Sequence, residues 1–121
     1  MKISIITATY NCDSVLIDCL NSVASQSYNN IEHIIIDGAS TDGTLPLINS
    51  QSDKISVLVT EPDNGIYDAM NKGIKLAKGN IIGFLNSDDF YVNNEIITKV
   101  AKEFERDPYL DACYADLIYV K

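Results

Sequence analysis

The chain has 121 residues, 46% of them hydrophobic, which suits one compact domain with a core of its own. Its 17 acidic side chains outnumber 9 basic ones, for a formal net charge of -8. That balance excludes a general binder of nucleic acid or of anionic membrane, since phosphate affinity comes from clustered Lys and Arg. A small phosphorylated ligand stays open, because carboxylates can hold a cation that supplies the missing positive charge.

In chain order, Lys2 to Ala8 is a β-branched apolar run and reads as a first strand rather than a signal peptide. Asp13 is placed to cap a helix running to about Gln26, with Val15, Leu16, Cys19, Leu20 and Val23 on its apolar face. Ile31 to Asp37 predicts a second strand, its three consecutive isoleucines marking burial on both faces. A turn from Gly38 to Gly43 follows, with Asp42 capping a short helix that admits Pro46 in its first turn. Lys54 to Thr60 is a third strand, and Glu61 to Gly65 a loop of turn formers.

Ile66, Ala69, Met70, Gly73, Ile74 and Ala77 recur at helical spacing, and Gly79 ends that helix. Ile81 to Leu85 is a fourth strand, leading into Asn86-Ser87-Asp88-Asp89. Asn94 is placed to cap a last helix, with Ile96, Ile97, Val100, Ala101 and Phe104 inward and Pro108 stopping it. Asp111 to Val120 reads as a further strand. No apolar run reaches the roughly 18 residues of a membrane-spanning helix. Cys12, Cys19 and Cys113 lack metal-site spacing and read as free thiols of a reducing cytoplasm.

Alternating strands and helices imply an α/β sandwich with a mostly parallel central sheet, whose ligands bind beyond the carboxyl ends of the strands. Four polar segments fall at that edge: Thr9-Tyr10-Asn11, Asp37, Glu61-Pro62-Asp63 and Asn86 to Asp89. Adjacent carboxylates at Asp88 and Asp89 repel unless a cation or hydrogen-bond donors satisfy them. As hard oxygen donors they suit Mg2+ or Mn2+ shared with substrate phosphates; turn hydrogen bonds are the alternative. Asp37, leaving a buried strand, is expected to accept hydrogen bonds from a base or ribose. Tyr10 is an aromatic platform for a planar base, a contact worth about 1–3 kcal/mol in single-strand stacking. Asp68 and Lys72, four apart, either pair along one helix face or present Lys72 to a phosphate. His33, inside the second strand, is given no catalytic role. Neither a Gly-x-Gly-x-x-Gly turn nor a Gly-x4-Gly-Lys-Ser/Thr loop is present.

The blocks Ile5 to Asn11, Asp37 to Thr44, Glu61 to Gly73 and Phe84 to Asp89, in this order, resemble the inverting family-2 glycosyltransferases of GT-A fold, especially bacterial enzymes of surface polysaccharides. The resemblance implies a Rossmann-like α/β/α sandwich. It also implies transfer of a sugar from a nucleoside-diphosphate donor, a UDP-sugar by preference, to a hydroxyl of a saccharide or lipid-linked saccharide. By position it gives Thr9, Tyr10, Asn11, Asp37, Asp68, Lys72 and Asp88 to the nucleotide-sugar, and Asp88 and Asp89 to Mn2+ or Mg2+. Gly38 stands where many members carry a second aspartate, and Asn86 where the first acid of an Asp-x-Asp element is usual. The family's general base falls beyond Lys121, so residues 1–121 are expected to be the donor-binding part of a longer enzyme, inactive alone. The expected location is the cytoplasm or the inner face of the membrane, and a homodimer is left open. Two rivals are a nucleotide-binding scaffold without chemistry and a sugar-1-phosphate nucleotidyltransferase. The second would need a Gly-rich basic loop where Thr9 to Asp13 stands.

Overall fold

A computed structural model describes residues 1–107 and 109–111. Its strands are β1 (Ile3–Thr9), β2 (Ile31–Asp37), β3 (Val57–Thr60) and β4 (Ile81–Phe84). Its helices are α1 (Leu16–Ala24), α2 (Thr44–Ser50), α3 (Ile66–Leu76) and α4 (Ile96–Arg106). The four strands form one sheet in the order β3-β2-β1-β4, and each pairing is parallel. The strand from Asp111 to Val120 and the stop at Pro108 lie outside the described residues, Asp111 itself excepted.

Alternation along β1 and β2 divides the core between the two faces of the sheet. Ile3, Ile5 and Ile35 meet Leu16, Leu20 and Val23 of α1, Ile48 of α2, and Ile97 and Ala101 of α4. Ile6, Ile34 and Ile36 meet Ala69 of α3 on the other face. Gly73 lets α3 lie close, for a β-carbon there would stand 2.5 Å from the Ile6 side chain.

Several local expectations change. Asp13 does not cap α1; its carboxylate accepts the N–H of Gly43 at 2.9 Å. The helix instead starts at Leu16, through an N–H to Cys12 carbonyl bond, which leaves Val15 exposed. Asp42 does accept the N–H of Thr44 at the head of α2. Residues Ser52–Lys54 wind into a single 3-10 turn, so β3 begins only at Val57. Ile66 and Ile74 of α3 are exposed, because the helix meets the sheet along the narrow line of Ala69 and Gly73. The head of α4 is served by distant Gln26, whose amide oxygen accepts the Ile97 N–H, and by Asn93 rather than Asn94. His33 is buried.

The order of strands has one consequence for function. From β1 the chain steps outward to β2 and β3, then returns to the opposite side of β1 as β4. β1 and β4 are neighbours, so the segments that follow them meet at the carboxyl edge of the sheet, where α/β sheets bind ligands. Tyr10 follows β1 and the acid turn follows β4, both at that edge.

Candidate functional site

The carboxyl ends of β1, β2 and β3 align residue by residue, Thr9 beside Asp37 and Asp37 beside Thr60. This row is a closed polar network. Asp37 has no exposed surface. One of its oxygens accepts the hydroxyls of Thr9 and Ser40, both at 2.6 Å. The other accepts the Ser40 N–H at 2.9 Å and the Thr60 hydroxyl at 3.0 Å. Burial by itself would raise this carboxyl's pKa, yet the bonds from Ser40, Thr9 and Thr60 outweigh it and hold the group below the ordinary carboxylate range. Asp37 therefore has neither surface nor a free oxygen to offer a ligand. Asp37, expected to contact the nucleotide, is taken up by the bonds that brace the rim. Thr9, nearly fully buried, gives its hydroxyl to the same brace.

The network positions Tyr10. Thr9 before it is tied to Asp37, and Asn11 after it is tied to the following turn. The Asn11 side-chain oxygen accepts the N–H groups of Thr41 and Asp42 at 2.8 and 3.3 Å, while its own N–H bonds the Ser40 hydroxyl at 2.9 Å. Asn11 adopts φ +46°, a left-handed conformation asparagine tolerates. Between two pinned neighbours Tyr10 stands 65% exposed. An aromatic ring held open on a fixed backbone is a ready stacking surface.

The loop after β3 is held by α3. Lys72 lies 3.1 Å from Glu61, 3.3 Å from the Pro62 carbonyl and 3.5 Å from Asp68. Its pKa is raised, chiefly by the bond to Glu61. Asp68 also accepts the Asn64 N–H at 2.9 Å, the main reason its pKa is lowered. Asp68 and Lys72 thus pair, and they tie Glu61 to Gly65 onto the helix.

The turn after β4 is different in kind. The Leu85 N–H bonds the Ile6 carbonyl at 3.0 Å and fixes the turn beside β1. Within it the Asp89 N–H reaches the Asn86 carbonyl at 3.0 Å, and the Asn86 amide donates to the Asp89 carboxylate at 3.2 Å. Asp88 and Asp89 are both exposed. The turn-bond alternative is met at Asp89, while no partner among the described residues reaches the Asp88 carboxylate. Among the described residues no group of three or more His, Cys, Asp or Glu side chains converges as a ready-made metal cage. Two carboxylates at an open turn fit instead a hard divalent cation that takes its remaining oxygens from water and phosphate.

The rest of the face is inert. Cys12 and Cys19 are buried free thiols, and burial first, then Cys12, Asp89 and Asp88, push the Cys19 pKa up to about 12 against the lowering effect of the Thr7 hydroxyl. Asp63, placed at this rim by the sequence without a role of its own, sits half-buried against Gly38. The signal for that contact was the missing side chain at Gly38 rather than anything at Asp63 itself.

Comparison with known proteins follows this geometry closely. The family model described as Glycosyl transferase family 2 matches residues 4–117. A "PGL/p-HBAD biosynthesis glycosyltransferase" of Mycobacterium tuberculosis is 36% identical over 118 residues, covering 95% of this chain and 46% of the relative. The Escherichia coli protein "UDP-Glc:alpha-D-GlcNAc-diphosphoundecaprenol beta-1,3-glucosyltransferase WfaP" is 40% identical over 99 residues, covering 81% of this chain and 39% of its own. The chain thus spans less than half the length of these curated relatives. Among solved structures, Staphylococcus aureus TarS 1-349 in complex with UDP-GlcNAc matches with a TM-score of 0.81 and 29% identity. That match covers 88% of this chain and 32% of the other.

Proposed function

The chain belongs to glycosyl transferase family 2, and from that premise we propose that it binds a UDP-sugar and a divalent cation at the carboxyl ends of β1 and β4. In this reading residues 1–121 form the donor-binding part of an inverting glycosyltransferase that extends a lipid-linked or surface saccharide. The observation that carries the proposal is that an exposed Tyr10 and the open acid turn at Asp88 and Asp89 follow two adjacent strands at one edge of the sheet.

The rim is acidic, and Lys72, its nearby cation, is engaged by Glu61 and Asp68. A diphosphate placed there meets like charge unless a cation accompanies it. Asp88, and Asp89 through the oxygen that Asn86 leaves free, are the residues that would hold Mn2+ or Mg2+. Such an ion neutralises the charge that grows on the departing diphosphate. Tyr10 stacks on the base, the Asp37 brace keeps Tyr10 in place, and Asp68 with Lys72 keeps the neighbouring loop in shape. The proton-accepting base and most acceptor contacts belong, in this proposal, to the portion of the relatives that this chain does not span. The TarS complex with UDP-GlcNAc supports the choice of a uridine donor, and the lipid-linked substrate in the WfaP name supports the acceptor class. No helix among the described residues is long and apolar enough to cross a membrane; we place the site at the cytoplasmic side, where such donors are made available.

Calorimetric titration of UDP tests the reading. Mn2+ is expected to tighten binding at least about tenfold, a charge-assisted contact of more than 1 kcal/mol. Asp88→Ala should abolish that gain without lowering the melting temperature. Equal affinity with and without metal, in both proteins, would overturn it.

A further inference from the structure

We propose that Gln26, just past the end of α1, is a positioning residue for the cation: it anchors the far end of the segment that carries Asp88 and Asp89. This rests on the cation-binding reading above and goes one step further, to the residue that keeps the two carboxylates in place.

The acid turn leaves β4 and must reach α4, and the path is tied at both ends. At its start the Leu85 N–H bonds the Ile6 carbonyl at 3.0 Å, and Leu85 is buried. At its exit it meets a segment from far earlier in the chain. The Gln26 side-chain amide donates to the Asn93 carbonyl at 2.7 Å and to the Ser22 carbonyl of α1 at 3.0 Å. Its oxygen accepts the Ile97 N–H at 3.0 Å. Ser27 continues the seam. Its N–H bonds the Asn94 carbonyl at 2.7 Å, and its hydroxyl lies 2.9 Å from that of Thr98.

The partners explain why a glutamine stands here. The Ser22 carbonyl lies in the last turn of α1 and the Ile97 N–H in the first turn of α4, where a helix leaves such groups without partners of its own. One primary amide, with two N–H donors and an acceptor oxygen, serves both helix ends and the exit of the acid turn. A carboxylate of the same length has no donor, and a lysine no acceptor. Gln26 is buried, so water competes little for these bonds.

Between the two anchors the carboxylates hold nothing outside their own turn. No partner among the described residues reaches Asp88, and Asp89 takes the Asn86 amide. Tyr91 rests on the core between them and the exit. The placing of Asp88 and Asp89 is therefore inherited from the anchors. Two carboxylates share one cation only in the loop shapes that bring both oxygens to it, and affinity falls with the fraction of such shapes. Tyr10 stands outside the seam, pinned through Thr9 to Asp37 and through Asn11 to Thr41. Gln26 thus governs the cation without governing the aromatic platform.

The test is Gln26→Asn, which keeps the amide but is one carbon too short to span its three partners. Gln26 borders an open cavity of about 290 Å3, shared with Val23, Tyr28 and His33, so water can reach the groups that the variant releases. UDP is titrated calorimetrically against the 121-residue chain in Mn2+ and in EDTA. The wild type is expected to gain about tenfold from Mn2+, and Gln26→Asn about threefold or less, with UDP affinity in EDTA kept within about twofold. In an Asp88→Ala background, Gln26→Asn should change neither affinity, because the carboxylate it positions is gone. An undiminished Mn2+ gain in Gln26→Asn overturns the proposal. So does a loss of UDP affinity in EDTA, which assigns Gln26 to the fold at large, or a further effect once Asp88 is absent. A wild type that gains nothing from Mn2+ overturns the cation reading, and the role of Gln26 with it.

Discussion

The strand ends of β2 and β4 both carry aspartates, and the fold treats them in opposite ways. Asp37 is sealed and takes hydrogen bonds from three residues of three segments. Asp88 is open and takes none among the described residues, and Asp89 takes one amide from its own turn. A buried carboxylate is stable only when its lone pairs are filled from within, so it becomes a fixed point of the fold. An exposed one stays hydrated until a cation displaces the water. Residue type is alike in the two cases, but Asp37 is the last residue of β2 while Asp88 lies in the turn past β4, and the number of donors already present differs with that position. The contrast divides the rim into a part that sets shape and a part that meets ligand.

Substituting each aspartate tests that division most directly. Asp37→Asn turns an amide N–H2 toward groups that themselves donate, and should cost about 3 kcal/mol. The melting temperature should fall by roughly 10 °C or more. Asp88→Ala should change stability by no more than about 0.5 kcal/mol. If thermal melts place the two variants together, sealed and open carboxylates are not different kinds of site and the division fails.

A smaller effect comes from pH, and it reaches the sealed side first. His33 is buried, its Nε2 paired with the Thr7 hydroxyl at 2.9 Å and its Nδ1 without a partner among the described residues. Burial pushes its pKa down from 6.5 to about 4. The folded protein thus holds the ring neutral where the unfolded chain would protonate it. The associated stability is complete above pH 6.5 and is lost as pH falls toward 4, by about 2–3 kcal/mol. Asp37 also has a lowered pKa, so its contribution is complete above its unfolded value of 3.8 and is lost only below that. The two windows separate. Urea denaturation at about pH 7.5 and about pH 4.5 should show the loss in the wild type and much less of it in His33→Gln. An equal loss in both would assign the acid sensitivity to other groups.

The two sides also differ in how far they could be read from sequence. The strands were legible because β-branched runs such as Ile34-Ile35-Ile36 admit few other buried forms. The acid turn was legible too, since adjacent carboxylates at a strand end carry their own electrostatic argument. The role of Asp37 was not, because a sequence shows the acceptor but not the hydroxyls of Thr9 and Thr60, which come from other strands. Caps failed for the same reason. Asp13 and Asn94 stand at the right offsets, but Asp13 serves Gly43, and α4 is served by Gln26 from 71 residues away. The contact of Asp63 was hidden by an absence: only the fold shows that its carboxylate stands where Gly38 lacks a side chain.

The smallest expected effect probes how the sealed side is held together. Ser40 can return its N–H and hydroxyl to Asp37 only if the chain reverses within two residues, and Ala39 adopts φ +62° to do so. A left-handed conformation costs an L-residue about 1–2 kcal/mol. Ala39→Gly removes that strain but frees the unfolded chain, which takes back about 0.4–1 kcal/mol. The net gain should be about 0.5 kcal/mol, a rise of a few degrees in melting temperature. The decisive form of the test is a double-mutant cycle with Asp37→Asn. If the Asp37 bonds impose the strain, losing them lets the turn relax, and Ala39→Gly should then stabilise the Asp37→Asn variant by less than it stabilises the wild type. Strictly additive effects would mean that the turn keeps its shape without the carboxylate, and that the sealed network follows the loop's conformation instead of causing it.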